Sequence, residues 1–289
     1  MNNVNIGCII VTYNPDESRF EKVITSITDQ CNVVLLVDNK SRNTDYLKEI
    51  CQCNSKLKLI ELDRNYGIAK AINIGVDRLK SDHLDWILML DQDTFIFCDI
   101  KKILTNLNAG KTGIVWLGGA EEACEAQFTI SVKPIIISGS VISWKVFSNG
   151  AKFREEFFLD HVDTDFDFRV KNMGFKVLRI CKSCIDHQWG KEKIIKGKKI
   201  RYTTNLRLYL TVRNGTRLLL EKKIGFRIFL GDNLYYFYYN VYNLKNFLYA
   251  LCIAMYGFAD GVSNNFLFLN RFSELQNDSI EYLKSLILK

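Results

Sequence analysis

Trp86-Ile87-Leu88-Met89-Leu90-Asp91-Gln92-Asp93-Thr94 runs five apolar residues straight into two carboxylates spaced i and i+2. The apolar run is short, unbroken and closed by polar residues, the pattern of a strand buried on both faces. Its aspartates project in the same general direction from the strand end. A hard divalent cation takes one or two protein carboxylates and completes its shell with oxygens such as those of a substrate phosphate. Two solvated aspartates in a strand-to-loop turn fit the same letters. The surrounding chain has to decide.

Upstream, three more buried strands are expected at Ile6–Val11, Val33–Val37 and Leu57–Leu62. Helices are expected between them at Glu17–Thr28, Tyr46–Cys53 and Ile68–Leu79, with apolar residues such as Phe20, Val23, Ile24 and Ile27 at helical spacing. Strand and helix in alternation imply an α/β fold with a parallel, doubly wound sheet. Ligands of such sheets bind beyond the carboxyl ends of the strands. Polar residues gather at those ends: Thr12–Asn14, Asp38–Ser41, Arg64–Asn65 and Asp91–Asp93. Neither a G-x-G-x-x-G nor a G-x-x-x-x-G-K-[ST] sequence occurs, which disfavours a Rossmann dinucleotide site and a P-loop. A carboxylate at Asp38 can accept the N–H of a pyrimidine ring, or can organise a turn or helix cap with Asn39 and Ser41.

The chain has 289 residues and a net charge of +7, which suits an anionic partner without naming it. Between Lys191 and Arg227 there are twelve Lys/Arg against two Glu, directly before an aromatic-rich stretch beginning at Tyr235. That is the composition of an interfacial element. A packing helix for the catalytic part, or a homodimer contact, fits it as well. The longest apolar run near the C-terminus, Phe247–Ala259, falls short of the roughly 20 residues of a membrane span. Nothing at the start reads as a signal peptide. Nine cysteines show no disulfide rhythm, and the C-x-x-C at Cys181 and Cys184 lacks the second pair a zinc site would want, so they are expected to be reduced, packed thiols of a cytosolic protein. A nucleic-acid-binding protein would use the basic, aromatic C-terminal third, but the acidic clusters at 91–93 and 160–167 would repel phosphate unless a metal intervened.

Four motifs occur in order: Ile9-Ile10-Val11-Thr12-Tyr13-Asn14-Pro15; Val37-Asp38-Asn39-x-Ser41; Asn65-Tyr66-Gly67-Ile68-Ala69-x-Ala71-x-Asn73-x-Gly75; and Leu90-Asp91-Gln92-Asp93-Thr94. Together they resemble family 2 glycosyltransferases with the GT-A fold. The Leu-Asp-Gln-Asp form is similar to bacterial rhamnosyltransferases of O-antigen and capsule assembly. The resemblance covers roughly residues 5–215. It implies a GT-A catalytic domain over 1–220, a mostly parallel sheet flanked by helices, and a C-terminal helical region over 221–289 that lies on a membrane surface.

The same resemblance implies site residues. Thr12, Tyr13, Asn14, Asp38, Asn65, Gly67, Lys70, Asp91 and Gln92 fall where the nucleotide-sugar is held. Asp91 and Asp93 would hold Mg²⁺ or Mn²⁺. His187, in Asp186-His187-Gln188-Trp189-Gly190, resembles a late His-x-x-Gly that touches diphosphate or metal, although a lone His is more often a packed core residue. Ile137-Ser138-Gly139-Ser140 resembles the small-residue segment beside the sugar. Arg207 and Arg213 resemble arginines that neutralise the departing diphosphate, or else form a basic helix face against lipid or solvent. In Asp160-His161-Val162-Asp163-Thr164-Asp165-Phe166-Asp167-Phe168-Arg169 the base position falls on Asp163, with Asp160 and Asp165 left open for part of the work. Phe166 and Val170 are expected to pack, and Asp167 to face Arg169 or solvent. The implied activity is inverting, metal-dependent transfer, from dTDP-L-rhamnose or another nucleotide-sugar of galactofuranose or glucose, to a lipid-linked oligosaccharide. It would take place at the cytoplasmic face of the membrane, without nucleic acid.

Overall fold

The computed structural model of the chain describes residues 4–105, 107–119, 126–187, 191–195, 198–202, 204–240, 244–271 and 277–286. Strand β1 (Ile6–Thr12) leads into helix α1 (Glu17–Thr28), followed by β2 (Val33–Asp38), α2 (Thr44–Cys53), β3 (Leu57–Glu61), α3 (Gly67–Arg78) and β4 (Trp86–Asp91). The expected alternation is present, with ends shifted by a residue or two. Asp16 caps α1 by accepting from the Arg19 N–H at 2.9 Å, and Phe20, Val23 and Ile27 form its buried face. Gly67, at φ 78°, supplies the left-handed backbone that lets the chain turn into α3.

The chain continues through β5 (Thr94–Ile96), α4 (Ile100–Leu104), β6 (Thr112–Trp116), β7 (Phe128–Ile130), β8 (Ser140–Ser143), α5 (Trp144–Ser148), α6 (Val162–Asn172), β9 (Lys176–Ile180) and β10 (Ile185–His187). Then come β11 (Lys191–Ile195), β12 (Lys198–Tyr202), α7 (Asn205–Leu220), α8 (Phe226–Asn240), α9 (Leu244–Ser263) and α10 (Asn277–Ser285). The main sheet has the order β3-β2-β1-β4-β8-β6-β9-β7. Its first four strands are parallel, as expected. Strand β8 then enters antiparallel to both β4 and β6, and β6 pairs parallel with β9. Strand β8 is entered from a turn at Gly139, which stands at φ 79°.

Two compact units emerge. One comprises residues 1–153 and 166–188, the other 154–165 and 189–289. The division expected at residue 220 is therefore not where compactness changes. Helix α7 groups with the C-terminal helices, because Leu208, Tyr209, Ile253 and Phe266 share one buried cluster. In the first unit Ile10, Leu36, Leu88, Val115 and Val141 form the core. Among the described residues no helix is long and apolar enough to cross a membrane.

The cysteines depart from expectation. Cys98 and Cys184 are joined through sulfur with their Cα atoms 5.5 Å apart, and Cys181 is also disulfide-bonded. A separation of 86 residues hid the first pair from any spacing rule. Cys8, Cys31, Cys51, Cys53 and Cys252 are free thiols, and burial pushes the Cys8 thiol well up from its ordinary value.

Candidate active site

The sheet register brings the strand ends together. Thr12 lies opposite Asp38, and Val11 opposite Asp91. Asp38 is only 1% exposed, and protein donors use both of its carboxylate oxygens. Thr12 Oγ1 donates to it at 2.8 Å, the Ser41 N–H at 2.9 Å and Thr44 Oγ1 at 3.1 Å, and the Ser41 hydroxyl donates as well. Buried in this way, Asp38 is turned toward its protein donors. Thr12 is likewise fully buried, and a contact of either residue with the nucleotide stays a proposal. Both act as organisers of the turn. Tyr13 and Asn14 are what that turn presents: both are exposed, and Asn14 stands at φ 50°. Asn14 Oδ1 accepts from the Arg42 N–H at 2.8 Å, tying the β1 and β2 tips together.

Gln92 extends the rim. Its Oε1 accepts from the Tyr13 N–H at 2.8 Å and its Nε2 donates to Tyr13 O at 3.3 Å. At the entry to α3, Asn65 Oδ1 accepts from the Gly67 N–H at 2.9 Å, and Asn39 Oδ1 accepts from the Tyr66 N–H at 3.1 Å. Asn65 and Gly67 thus shape a turn in their own right. Lys70 follows on the first turns of α3 and is half-buried.

Asp91, Asp93 and His187 come together although 94 residues separate the last two in sequence. Each offers one possible metal ligand atom, and these atoms all lie within 4.8 Å of one another. His187 reaches the cluster because β10 pairs antiparallel with β5, with His187 opposite Thr94. Its Nδ1 lies 3.7 Å from Asp93 Oδ1 and shares a 2.5 Å hydrogen bond with Thr94 Oγ1. Two carboxylates and an imidazole suit Mn²⁺ or Mg²⁺, hard ions that complete their shells with oxygens. The donor set fits the ion.

The support around this cluster escaped sequence reasoning. The Asp91 N–H donates to Ser138 Oγ at 2.9 Å, and the Ser138 hydroxyl donates to Thr94 Oγ1 at 2.8 Å. Ser138 sits in the turn at Gly139 (φ 79°), so the small-residue segment braces the acidic cluster through hydrogen bonds. Arg19 of α1 donates to Asp93 O at 2.6 Å and to Asp186 Oδ1 at 2.8 Å. Only the position of Thr94, directly after Asp93, could have drawn attention to it. Gln188, Trp189 and Gly190 of the late motif lie outside the described residues.

In the second unit, the acidic run sorts by ion pairing. Asp165 is fully buried and pairs with Lys223 at 2.8 Å. Asp160 accepts from Arg207 Nε at 2.9 Å. Asp163 stands at the start of α6, half-buried, with the Thr164 N–H donating to its Oδ1 at 2.8 Å. It has no cation partner among the described salt bridges. Burial pushes its carboxyl up, while the Thr164 N–H and the neighbouring His161 pull it down. In the first unit, Phe166 and Val170 are buried as expected, Phe166 stacking on Phe153 at 3.9 Å. Asp167 is a correction. It is 2% exposed and pairs with Lys171 at 2.7 Å one helical turn on, rather than facing Arg169 or solvent.

The two arginines of α7 part ways. Arg207 is partly exposed and lies over the Tyr236 ring at 5.6 Å. Arg213 is fully buried, donates to Glu156 O at 3.2 Å and to Asn214 Oδ1 at 2.9 Å, and stacks on Phe266 at 4.0 Å. Burial lowers its guanidinium to about 10. No face of it is left for a diphosphate. The expected contact from Arg213 is therefore replaced by a packing role.

Residues 8–166, which include Asp91 and Asp93 at the strand tips, match the glycosyl transferase family 2 model. The chain belongs to that family. The dTDP-rhamnosyl transferase RfbF of Shigella flexneri is 33% identical over 245 residues, 77% of this chain and 82% of the relative. The structure of GalNAc-T7 with UDP, GalNAc and Mn²⁺ superposes with a TM-score of 0.59 at 14% identity, over 75% of this glycosyltransferase and 48% of that chain, about half its length. Residues 1–349 of S. aureus TarS give a TM-score of 0.54 at 16% identity, covering 90% and 81% of the two chains. At such identities the likeness concerns the fold, which is GT-A.

Proposed function

We propose that this glycosyltransferase moves L-rhamnose from dTDP-L-rhamnose to a lipid-linked saccharide, with inversion, in cell-surface polysaccharide synthesis. The observation that carries this is the cluster of Asp91, Asp93 and His187 at the strand tips of a chain 33% identical to a dTDP-rhamnosyl transferase. Those three residues would hold Mg²⁺ or Mn²⁺, which when bound neutralises charge on the leaving diphosphate. The exposed tip at Tyr13 and Asn14, with Gln92, Asn65, Gly67 and Lys70, is the donor-holding rim. Asp163 is the base. It takes the proton of the acceptor hydroxyl while the new bond to the anomeric carbon forms and the bond to the diphosphate oxygen breaks. Arg207 stays close to this chemistry through Asp160, which it holds. The exposed apolar side chains Phe226, Leu230, Tyr238, Leu248 and Met255 of α8 and α9 support a peripheral seat on the cytoplasmic membrane face. The basic tail is read as facing that surface rather than nucleic acid.

The test is a panel of nucleotide-sugars, including dTDP-L-rhamnose and those of glucose and galactofuranose, titrated with and without Mn²⁺. The proposal expects dTDP-L-rhamnose to bind best and only with metal, and Asp93→Asn to lose the metal dependence with the fold intact. Equal binding in EDTA and in Mn²⁺ refutes the metal role, and a preference for another sugar refutes the donor.

A further inference from the structure

The bridge between Cys98 and Cys184 closes the same small ladder that carries the metal cluster. Strands β5 and β10 have three residues each and pair Ile96 with Ile185, Phe95 with Asp186 and Thr94 with His187. One step further, the Phe97 N–H donates to Cys184 O at 3.0 Å. The next residue, Cys98, is bonded to the Cys184 sulfur. A ribbon of two such short strands is marginal by itself. A covalent link across 86 residues of chain restricts the states in which that register is lost. The register matters, because it sets His187 opposite Thr94 and beside Asp93. A surface cleft of about 410 Å³, lined by Gln30, Phe97, Cys98 and Asp99 among others, opens at the bridge. Cys98 is half-buried, whereas Cys184 is 6% exposed. Cys98 is therefore the more open end of the bridge to an incoming thiolate.

We propose that Cys98–Cys184 is a reversible redox site that sets the metal affinity of the Asp91–Asp93–His187 cluster. The reductant is a dithiol. Its first thiolate attacks Cys98 Sγ, forming a mixed disulfide and releasing Cys184 as a thiolate. Its second thiolate then expels Cys98, so that two electrons and two protons end on the protein as two thiols while the reductant becomes a disulfide. With the bridge open, the β5–β10 ladder frays and His187 loses its fixed place opposite Thr94. Disturbing the support of a metal ligand typically costs 10–100-fold in affinity.

This inference rests on the metal reading of the cluster, and the experiment separates the two. Mn²⁺ affinity is measured by calorimetry on the whole chain, oxidised and after reduction by a dithiol, and on Cys98→Ser/Cys184→Ser. Exchange of the Phe97 amide is followed in parallel. Reduced protein and the double variant should bind Mn²⁺ about tenfold more weakly than oxidised protein, with faster Phe97 exchange. Equal affinity in the oxidised and reduced states overturns the coupling. A double variant that binds like oxidised protein, while reduced protein binds weakly, transfers the effect to Cys181 and overturns the assignment. No Mn²⁺ binding in either state overturns the metal reading itself, and the coupling with it, whereas the exchange data report the ladder independently of metal.

Discussion

Single carboxylates in this chain differ by their partners more than by their type. Asp38 accepts from Thr12 and Ser41, Asp165 pairs with Lys223 and Asp167 with Lys171. Asp163, the proposed base, accepts from the Thr164 N–H and has no cation partner among the described salt bridges. Asp163→Asn is expected to bind nucleotide-sugar and metal normally while transferring sugar at least about a hundredfold more slowly, the usual cost of losing a general base. A rapid-quench assay beside calorimetry checks both halves. Because burial raises the Asp163 carboxyl, the base is protonated, and transfer lost, at a pH above the usual value of about 4. The acidic limb of kcat should therefore lie above that value in wild type and vanish in Asp163→Asn. A limb at the ordinary carboxylate value would assign the base elsewhere. Asp167→Asn strands Lys171 beside a buried amide, so its effect should appear in thermal melts rather than in transfer.

Helix packing in the second unit depends on two glycines four residues apart. A Cβ at Gly257 would meet Tyr209 O at 2.6 Å, and one at Gly261 would meet Arg213 O at 2.7 Å. Without side chains there, α9 approaches the backbone of α7, and Tyr209 donates to Asp260 at 2.6 Å. Gly261→Val should destabilise the protein by about 1–3 kcal/mol, the cost of overpacking. That corresponds to a loss of several degrees in Tm by calorimetry. An unchanged Tm would mean that the two helices are not in such close contact. Strands behave differently from these helices: β1, β2 and β4 are buried along nearly their whole length, and their continuous apolar runs announced them.

For the molecule as a whole, charge and apolar exposure fall in the same C-terminal third. Of the basic block, the side chains of 191–203 lie outside the described residues, while Arg213 is buried and Arg207, Arg217 and Lys223 pair with carboxylates, which leaves the surface role to the remaining cations. Flotation with anionic vesicles should carry the protein upward at low salt and fail at high salt, each basic residue near such a surface contributing about 1 kcal/mol. Retention through a carbonate wash would mean an integral attachment. Loss of flotation together with a concentration-dependent dimer in sedimentation would hand the apolar helices to a second copy of the chain.

The order of strands and helices up to Asp93 was legible in the residues because each element is local: apolar period, cap and turn all lie within about a dozen positions. The family and the acidic pair were legible for the same reason. What needed the tertiary structure is whatever depends on which distant groups meet. Spacing cannot tell that Asp38 is buried against Thr12 and Ser41, that Arg213 stacks on Phe266, or that Cys98 finds Cys184. Nor can it show that His187 reaches Asp93 through a three-residue ladder. A carboxylate's or thiol's role is set by the partners and burial that folding brings to it, and those are properties of the packed chain rather than of its letters.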